Sequence, residues 1–162
     1  MVEGIFDALS LIENGFDNAV AVAGTNWIAP ELITGSSIKK VFMCFDGDGP
    51  GQKQGLMRAY ALKDAGLEVR IVDLPDDQDP NEFLVSLAAE DFDKLLSKAA
   101  HPEVWEIDHL DTEVDEQEKI HALENLIHRA ASMEPITRAL VCKRMAKKLG
   151  LIDPKALAFT WV

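Results

Sequence analysis

The sequence predicts an α/β fold, a mainly parallel four-stranded sheet flanked by helices and followed by a C-terminal helical region. Strand and helix patterns alternate over the first hundred residues, which is typical of a parallel, helix-covered sheet. After residue 80 only helix patterns follow. At 162 residues and 48% hydrophobic, the chain is long and apolar enough to bury a sizeable core in one domain, or in one domain with an appendage.

The first half of the chain carries the strand patterns. They are short and apolar, and each ends at glycine, proline or an acidic residue, as strands buried on both faces do. The strand patterns are a very short lead-in around Val2, then residues 19–23, 40–45 and 68–72. Three helices are predicted between them, from apolar residues at helical spacing and glycine stops. These helices cover residues 5–14, 30–33 and 52–65.

The second half of the sequence carries helix patterns only. The last of them has Pro135 in its first turn, where the missing N–H costs nothing, and Gly150 just after its end. The predicted helices cover residues 81–87, 92–99, 115–131 and 134–149. We place a domain boundary near residue 100, which gives a sheet-containing core over residues 1–99 and a helical subdomain over residues 100–162.

Charge and cysteine content limit the function classes. Sixteen Lys and Arg against 28 Asp and Glu give a net charge of −12, which disfavours a free-standing nucleic-acid binder. Cys44 and Cys142 form no disulfide framework and no zinc-binding spacing, and Cys44 is predicted to be a buried apolar filler. No membrane span or signal peptide is visible, so the cytoplasm is the expected location.

Acidic residues follow three of the predicted strands. Glu3 ends the first strand, Asp46 and Asp48 end the third, and residues 76–79 follow the fourth with three more aspartates. Ligands of α/β sheets bind outside the carboxyl ends of the strands, where these side chains would meet. Crowded carboxylates favour Mg²⁺ or Mn²⁺, and such ions serve phosphoryl-transfer chemistry. Taken alone, an Asp-Gly-Asp loop is also ordinary turn chemistry.

Four segments in order resemble a known family. They are residues 3–7 (EGIFD), 23–25 (AGT), 45–51 (FDGDGPG) and 74–80 (LPDDQDP). Together they resemble the TOPRIM domain of bacterial DnaG-type primases, a Rossmann-like metal-binding module shared by topoisomerases and primases. The resemblance covers about residues 1–90 and implies metal-dependent nucleotidyl transfer, the synthesis of RNA primers in DNA replication.

The resemblance also implies roles for individual residues. Catalysis falls to Glu3, Asp46 and Asp48, with Glu3 as a metal ligand or general base. The implied ligands of Mg²⁺ or Mn²⁺ are Glu3, Asp7, Asp46, Asp48 and Asp79. Glycines and a threonine around the site are implied to shape it for phosphate or nucleotide. These are Gly4, Gly24, Thr25, Gly47, Gly49 and Gly51.

The chain departs from the primase pattern in two respects. Asn81 stands where primases often have an acidic residue, and only a short lead-in precedes Glu3. Primases carry a basic subdomain and a zinc-binding module upstream, so we expect this chain to be a fragment or a reduced relative. The implied partners are NTPs and a single-stranded DNA template, held through those upstream regions, and a replicative helicase.

Other functions share the same residues. An OLD-type TOPRIM nuclease would need the same acidic residues. A topoisomerase would need a nucleophilic tyrosine, but Tyr60, the sole tyrosine, is expected to pack inside a helix. A non-catalytic TOPRIM module could instead bind replication proteins through its helices. The basic residues of the last helix are expected to be a solvated face; they are Arg138, Lys143, Arg144, Lys147 and Lys148.

Overall fold

The computed structural model describes residues 1–22, 30–47, 49–75, 77–86, 89–110 and 115–150. The chain divides into two compact units, one of Met1–Pro102 and one that begins at Glu103. The two strands are β1 (Lys40–Met43) and β2 (Glu68–Ile71). The helices are α1 (Ile5–Glu13), α2 (Pro30–Thr34), α3 (Gly49–Asp64), α4 (Pro80–Ser86), α5 (Ala89–Lys98), α6 (Pro102–Asp108), α7 (Glu116–Ala131) and α8 (Pro135–Lys148).

The first unit contains the parallel sheet that the sequence predicts. β1 and β2 pair in parallel, with Lys40 opposite Glu68 and Met43 opposite Ile71. The sixteen-residue helix α3 connects them, and such a helical crossover is the usual connection between parallel strands. An isolated antiparallel bridge from Ile71 to Ala100 extends the edge beyond β2.

The first two residues pair with chain segments on both sides. The Met1 amino group donates to the Phe42 carbonyl at 2.7 Å, and the Cys44 N–H donates to the Met1 carbonyl at 2.9 Å. Val2 forms a parallel bridge with Ala21 on the other side. Side by side, the paired segments therefore follow the order residues 20–22, residues 1–2, β1 and β2.

The α/β class and the parallel order are confirmed, but two of the four predicted strands are reduced to a single bridge, and the other two end one or two residues early. Among the described residues, the lead-in and the 19–23 segment make only the Val2–Ala21 bridge, and residue 23 lies outside the description. A lead-in of so few residues has too few backbone groups to form a regular ladder.

Two helices begin three residues earlier than predicted, and one was not predicted. α5 begins at Ala89 instead of residue 92. α3 begins at Gly49 instead of residue 52, because the first turn of a helix has N–H groups without intrahelical partners and therefore tolerates glycine and proline. α6 was not predicted at all. It is a seven-residue helix, too short to show a clear apolar period, and it begins at the Pro102 that suggested a boundary.

Each unit has its own hydrophobic core. In the first unit, Val2, Leu11 and Cys44 pack with Phe83 and Phe92, whose rings meet edge to face. The core of the second unit joins α6, α7 and α8. Its buried members are Ile107, Leu126, Ala130, Val141 and Met145.

Candidate metal centre

Glu3 directly follows the segment that lies between residues 20–22 and β1. Val2 before it is fully buried, and Gly4 after it is the N-cap of α1, with an extended backbone at φ −94° and ψ 152°. Glu3 itself is partly exposed. The paired lead-in and the start of α1 therefore hold the glutamate at the carboxyl end of the parallel segments, as the sequence predicted.

Asp7 is a buried carboxylate in the first turn of α1. Its Oδ2 accepts a hydrogen bond from the Gly4 N–H at 3.0 Å. A Cβ atom on Gly4 would lie 2.6 Å from Oδ2, so this approach requires glycine. Burial raises the pKa of Asp7, and the negative charges of Asp79 and Glu3 add to that effect.

Asp46 lies three residues after β1 and is partly buried. The next residue, Gly47, ties this loop to the one after β2, because its N–H donates to the Gln78 carbonyl at 2.9 Å. The side chain of Gln52 donates to the Gly47 carbonyl at 3.1 Å. A Cβ on Gly47 would lie 2.5 Å from the carbonyl oxygen of Pro75, so only glycine fits here.

Asp79 caps α4. Its Oδ1 accepts from the Glu82 N–H at 2.6 Å, and the Glu82 carboxylate accepts from the Asp79 N–H at 3.4 Å. This is the reciprocal pattern of a capping box. The capping roles of Asp7 and Asp79 were not predicted from the sequence. The three-residue spacings from Gly4 to Asp7 and from Asp79 to Glu82 could have revealed them.

The structure brings several of the predicted site residues together. Glu3 and Asp79 are close enough to Asp7 for their charges to act on it, and the charges of Asp7 and Asp46 both act on the Cys44 thiol. We call these four residues the acidic rim. Of the other predicted residues, Gly49 and Gly51 lie in the first turn of α3, whereas Gly24, Thr25 and Asp48 lie outside the described residues.

The donors of the acidic rim fit a hard divalent cation. All of them are carboxylates, the ligands that Mg²⁺ and Mn²⁺ prefer, and a cation would offset the repulsion that raises the pKa of Asp7. In the part of the chain that the structure describes, which leaves out Asp48 and Asp76, no three His, Cys, Asp or Glu side chains form a group that could hold a metal ion. The ligand set therefore stays a prediction.

A contact behind the rim was also missed by the sequence analysis. α3 packs closely on Phe45, since a Cβ on Gly55 would lie 3.1 Å from that ring. The guanidinium carbon of Arg58, a largely buried residue, lies 5.4 Å from the centre of the same ring. Because Asp46 follows Phe45 directly, this packing fixes the backbone that carries the aspartate.

Two other expectations can be compared with the structure. Tyr60 is only 6% exposed in α3, so it packs in the core as predicted and is not available as a nucleophile. In the predicted basic face of α8, Arg144 forms a bidentate ion pair with Asp108, and Lys148 donates to the Asp108 carbonyl at 2.7 Å. Two of its five cations therefore join α8 to α6.

A comparison with known protein families shows to which family the chain belongs. The family described as Toprim-like matches residues 1–84, which is just over half of the sequence. The chain belongs to the Toprim-like family. The match contains the whole acidic rim, from Glu3 to Asp79.

Relatives of this Toprim-like chain are DNA primases. The DNA primase of Chlamydia trachomatis is 27% identical over 165 residues, an alignment that covers 98% of this chain and 28% of that protein. The solved structure of the Aquifex aeolicus primase, with its zinc-binding and RNA polymerase domains, is 26% identical with a TM-score of 0.66, over 98% of this chain and 38% of that one.

A further solved structure is that of a DnaG primase catalytic domain bound to ssDNA. It is 25% identical, with a TM-score of 0.68, over 96% of this Toprim-like chain and 52% of that one. The chain spans only about a quarter of the length of the curated primases that it matches. None of the described helices is long and apolar enough to cross a membrane.

Proposed function

We propose that this chain is the metal-binding catalytic core of a primase, which transfers nucleotides to make RNA primers for DNA replication. The observation that carries the proposal is the acidic rim, placed at the carboxyl ends of parallel segments in a Toprim-like chain whose relatives are DNA primases. The proposed ligands of Mg²⁺ or Mn²⁺ are Glu3, Asp7, Asp46, Asp48 and Asp79.

Each proposed residue has a defined task. A bound divalent cation supplies charge neutralisation for the phosphates of an incoming NTP. Glu3, which is partly exposed, would accept the proton of the attacking 3′-hydroxyl. Gly47 joins the Asp46 loop to the loop that leads to Asp79, and Gln52 joins the same loop to α3, an arrangement that would let both aspartates serve one ligand. The first turn of α3 offers backbone N–H groups to phosphate.

The template must be held mainly by other residues. A net charge of −12 repels a phosphate backbone, and even a metal-loaded rim would leave the chain acidic. The ssDNA-bound relative supports single-stranded DNA as the template, with basic residues outside this chain as the binding surface. A replicative helicase as a further partner rests on the resemblance alone.

Metal binding is the first test of the proposal. We expect isothermal titration of Mn²⁺ to show saturable uptake that falls at least about tenfold in affinity in the double variant Asp46→Asn/Asp48→Asn. The matched control is Asp93→Asn, which removes the charge of an exposed aspartate in α5 and should leave the affinity unchanged. Equal uptake by all three proteins would contradict the proposed site.

Primer synthesis is the second test, and it uses the regions of a primase that lie outside the alignment with this chain. The aligned segment of the Chlamydia trachomatis primase can be replaced by this chain, and the chimera supplied with NTPs, Mg²⁺ and single-stranded DNA. We expect primers from the chimera and none from its Glu3→Gln variant. A folded chimera that binds Mn²⁺ without making primers would contradict the primase assignment. Metal-dependent plasmid nicking that Glu3→Gln abolishes would indicate a nuclease instead.

A further inference from the structure

Gln78, in the loop between β2 and α4, carries a polar atom that is buried without a donor. Among the described residues, no hydrogen-bond donor reaches its side-chain oxygen Oε1, although water is excluded from that oxygen. A carbonyl oxygen withdrawn from water without a donor costs free energy, so folded proteins leave few such groups unsatisfied. The missing donor is therefore expected from something that the chain binds.

The backbone of Gln78 is fixed between the loops that carry Asp46 and Asp79. Its N–H donates to the Pro75 carbonyl at 3.2 Å, and its carbonyl accepts from the Gly47 N–H at 2.9 Å. Both backbone groups of Gln78 are thus paired, in contrast to its side-chain oxygen.

The position of Gln78 relates it to two proposed metal ligands. Gly47 follows Asp46 directly, and Asp79 follows Gln78 directly. The hydrogen bond from Gly47 brings the backbone of Gln78 beside the loop of the first aspartate, and chain connectivity places it next to the second. A cation held by these two aspartates would therefore be a neighbour of Gln78.

We propose that Gln78 is a positioning residue, whose Oε1 accepts a hydrogen bond from the water shell of the proposed cation. The proposal rests on the proposed function, because it concerns the same metal site. Mg²⁺ in proteins keeps several of its waters, and the ion polarises them into good donors. A neutral oxygen also suits this place, since it adds an acceptor to the acidic rim without adding negative charge. The primase resemblance assigns Gln78 no role.

Two substitutions of Gln78 separate this role from a purely structural one. Gln78→Met keeps the length of the side chain but removes the oxygen, whereas Gln78→Glu keeps an oxygen acceptor and adds a charge. In EDTA, the melting temperature of Gln78→Met should rise by about 2–4 °C, because a buried acceptor without a donor is lost. The melting temperature of Gln78→Glu should fall, because the added charge repels the other carboxylates.

Metal affinity should change in the opposite direction. Titration with Mn²⁺ should show about tenfold weaker binding in Gln78→Met, and binding at least as tight as that of the wild type in Gln78→Glu. The control is Gln117→Met, which removes an exposed glutamine of α7 in the second unit and should change neither measurement.

Three results would overturn the proposal. Unchanged Mn²⁺ affinity in Gln78→Met would show that the oxygen takes no part in metal binding. Weaker binding in Gln78→Met together with a lower melting temperature in EDTA would show that the side chain only supports the loop. Weaker binding in Gln78→Glu as well would show that the side chain acts through its amide N–H groups.

The proposed function fails on a different measurement. Equal Mn²⁺ uptake by the wild type and by Asp46→Asn/Asp48→Asn would overturn the metal site and, with it, the role of Gln78. If the double variant loses affinity and Gln78→Met does not, the metal site stands and only the inference about Gln78 is lost.

Discussion

Cys44 is a buried thiol beside the acidic rim. It is 2% exposed, and burial raises its pKa to about 12, with smaller contributions from the charges of Asp7 and Asp46. The expectation of a buried apolar filler is confirmed. Cys142 in α8 is partly exposed, and burial raises its pKa by less. The two cysteines should therefore differ in reactivity, since the thiolate is the reactive form.

Thiol labelling measures this difference. We expect the native protein at pH 8 to react with an aromatic disulfide reagent slowly and only at Cys142, and the unfolded protein to react at both cysteines. The variant Cys142→Ser should show almost no reaction until denaturant is added. Rapid labelling of native Cys142→Ser would show that Cys44 is accessible, contrary to the packing described above.

The raised pKa of Cys44 also predicts an alkaline loss of stability. The thiol ionises near pH 9 when the chain is unfolded but only near pH 12 when it is folded. Its contribution to stability is therefore complete below pH 9 and is lost as the pH rises toward 12, by up to about 1.4 kcal/mol per pH unit.

The variant Cys44→Ala isolates this contribution. The difference in unfolding free energy between wild type and variant, measured by urea titration, should be constant from pH 6 to 8 and should shrink between pH 9 and 11. A constant difference over the whole range would contradict the assigned pKa shift.

At the scale of elements, Gly47 joins two loops that follow neighbouring strands. Its N–H reaches the Gln78 carbonyl, and a methyl group in place of its hydrogen would meet the Pro75 carbonyl at 2.5 Å. Backbone atoms cannot turn aside as a flexible side chain can, so one of the loops must move. The expected result is a displaced Asp46.

Gly47→Ala should lower stability by about 1–3 kcal/mol, because it forces extra volume into a packed contact, and it should weaken Mn²⁺ binding by about tenfold or more. Gly49→Ala is the matched control, since a Cβ there meets no atom within 4 Å. Calorimetric unfolding and Mn²⁺ titration measure both effects. Equal results for the two variants would show that the loops are not coupled through Gly47.

The elements also show which features a sequence can predict. The long helices were predicted close to their ends, because an apolar stripe such as that of α7 is encoded locally. The bridge at Val2 and the short helix α6 depend on partners elsewhere in the chain. The site divides in the same way. Acidic residues at strand ends predicted the rim, but the hydrogen bond from Gly47 to Gln78, which joins two of its loops, follows only from how those loops meet.

At the scale of the whole molecule, the acidic rim and the second core belong to different units. The rim lies in the unit Met1–Pro102. The buried cluster of α6, α7 and α8 lies in the unit that begins at Glu103. The described second unit has its own ion pair as well, between Asp108 and Arg144. Damage to the second core should therefore affect stability without affecting metal binding.

A pair of leucine substitutions tests this independence. Leu126 in the second unit and Leu62 in the first are both fully buried, so each change to alanine should cost about 2–5 kcal/mol of stability. At 15 °C, where each variant can be checked for helicity, Leu126→Ala should bind Mn²⁺ as the wild type does. Leu62 lies in α3, the helix that packs on Phe45, so Leu62→Ala should lower the affinity. If Leu126→Ala weakens Mn²⁺ binding as much as Leu62→Ala, the two units are energetically coupled, and the second unit contributes to the metal site as well as to its own core.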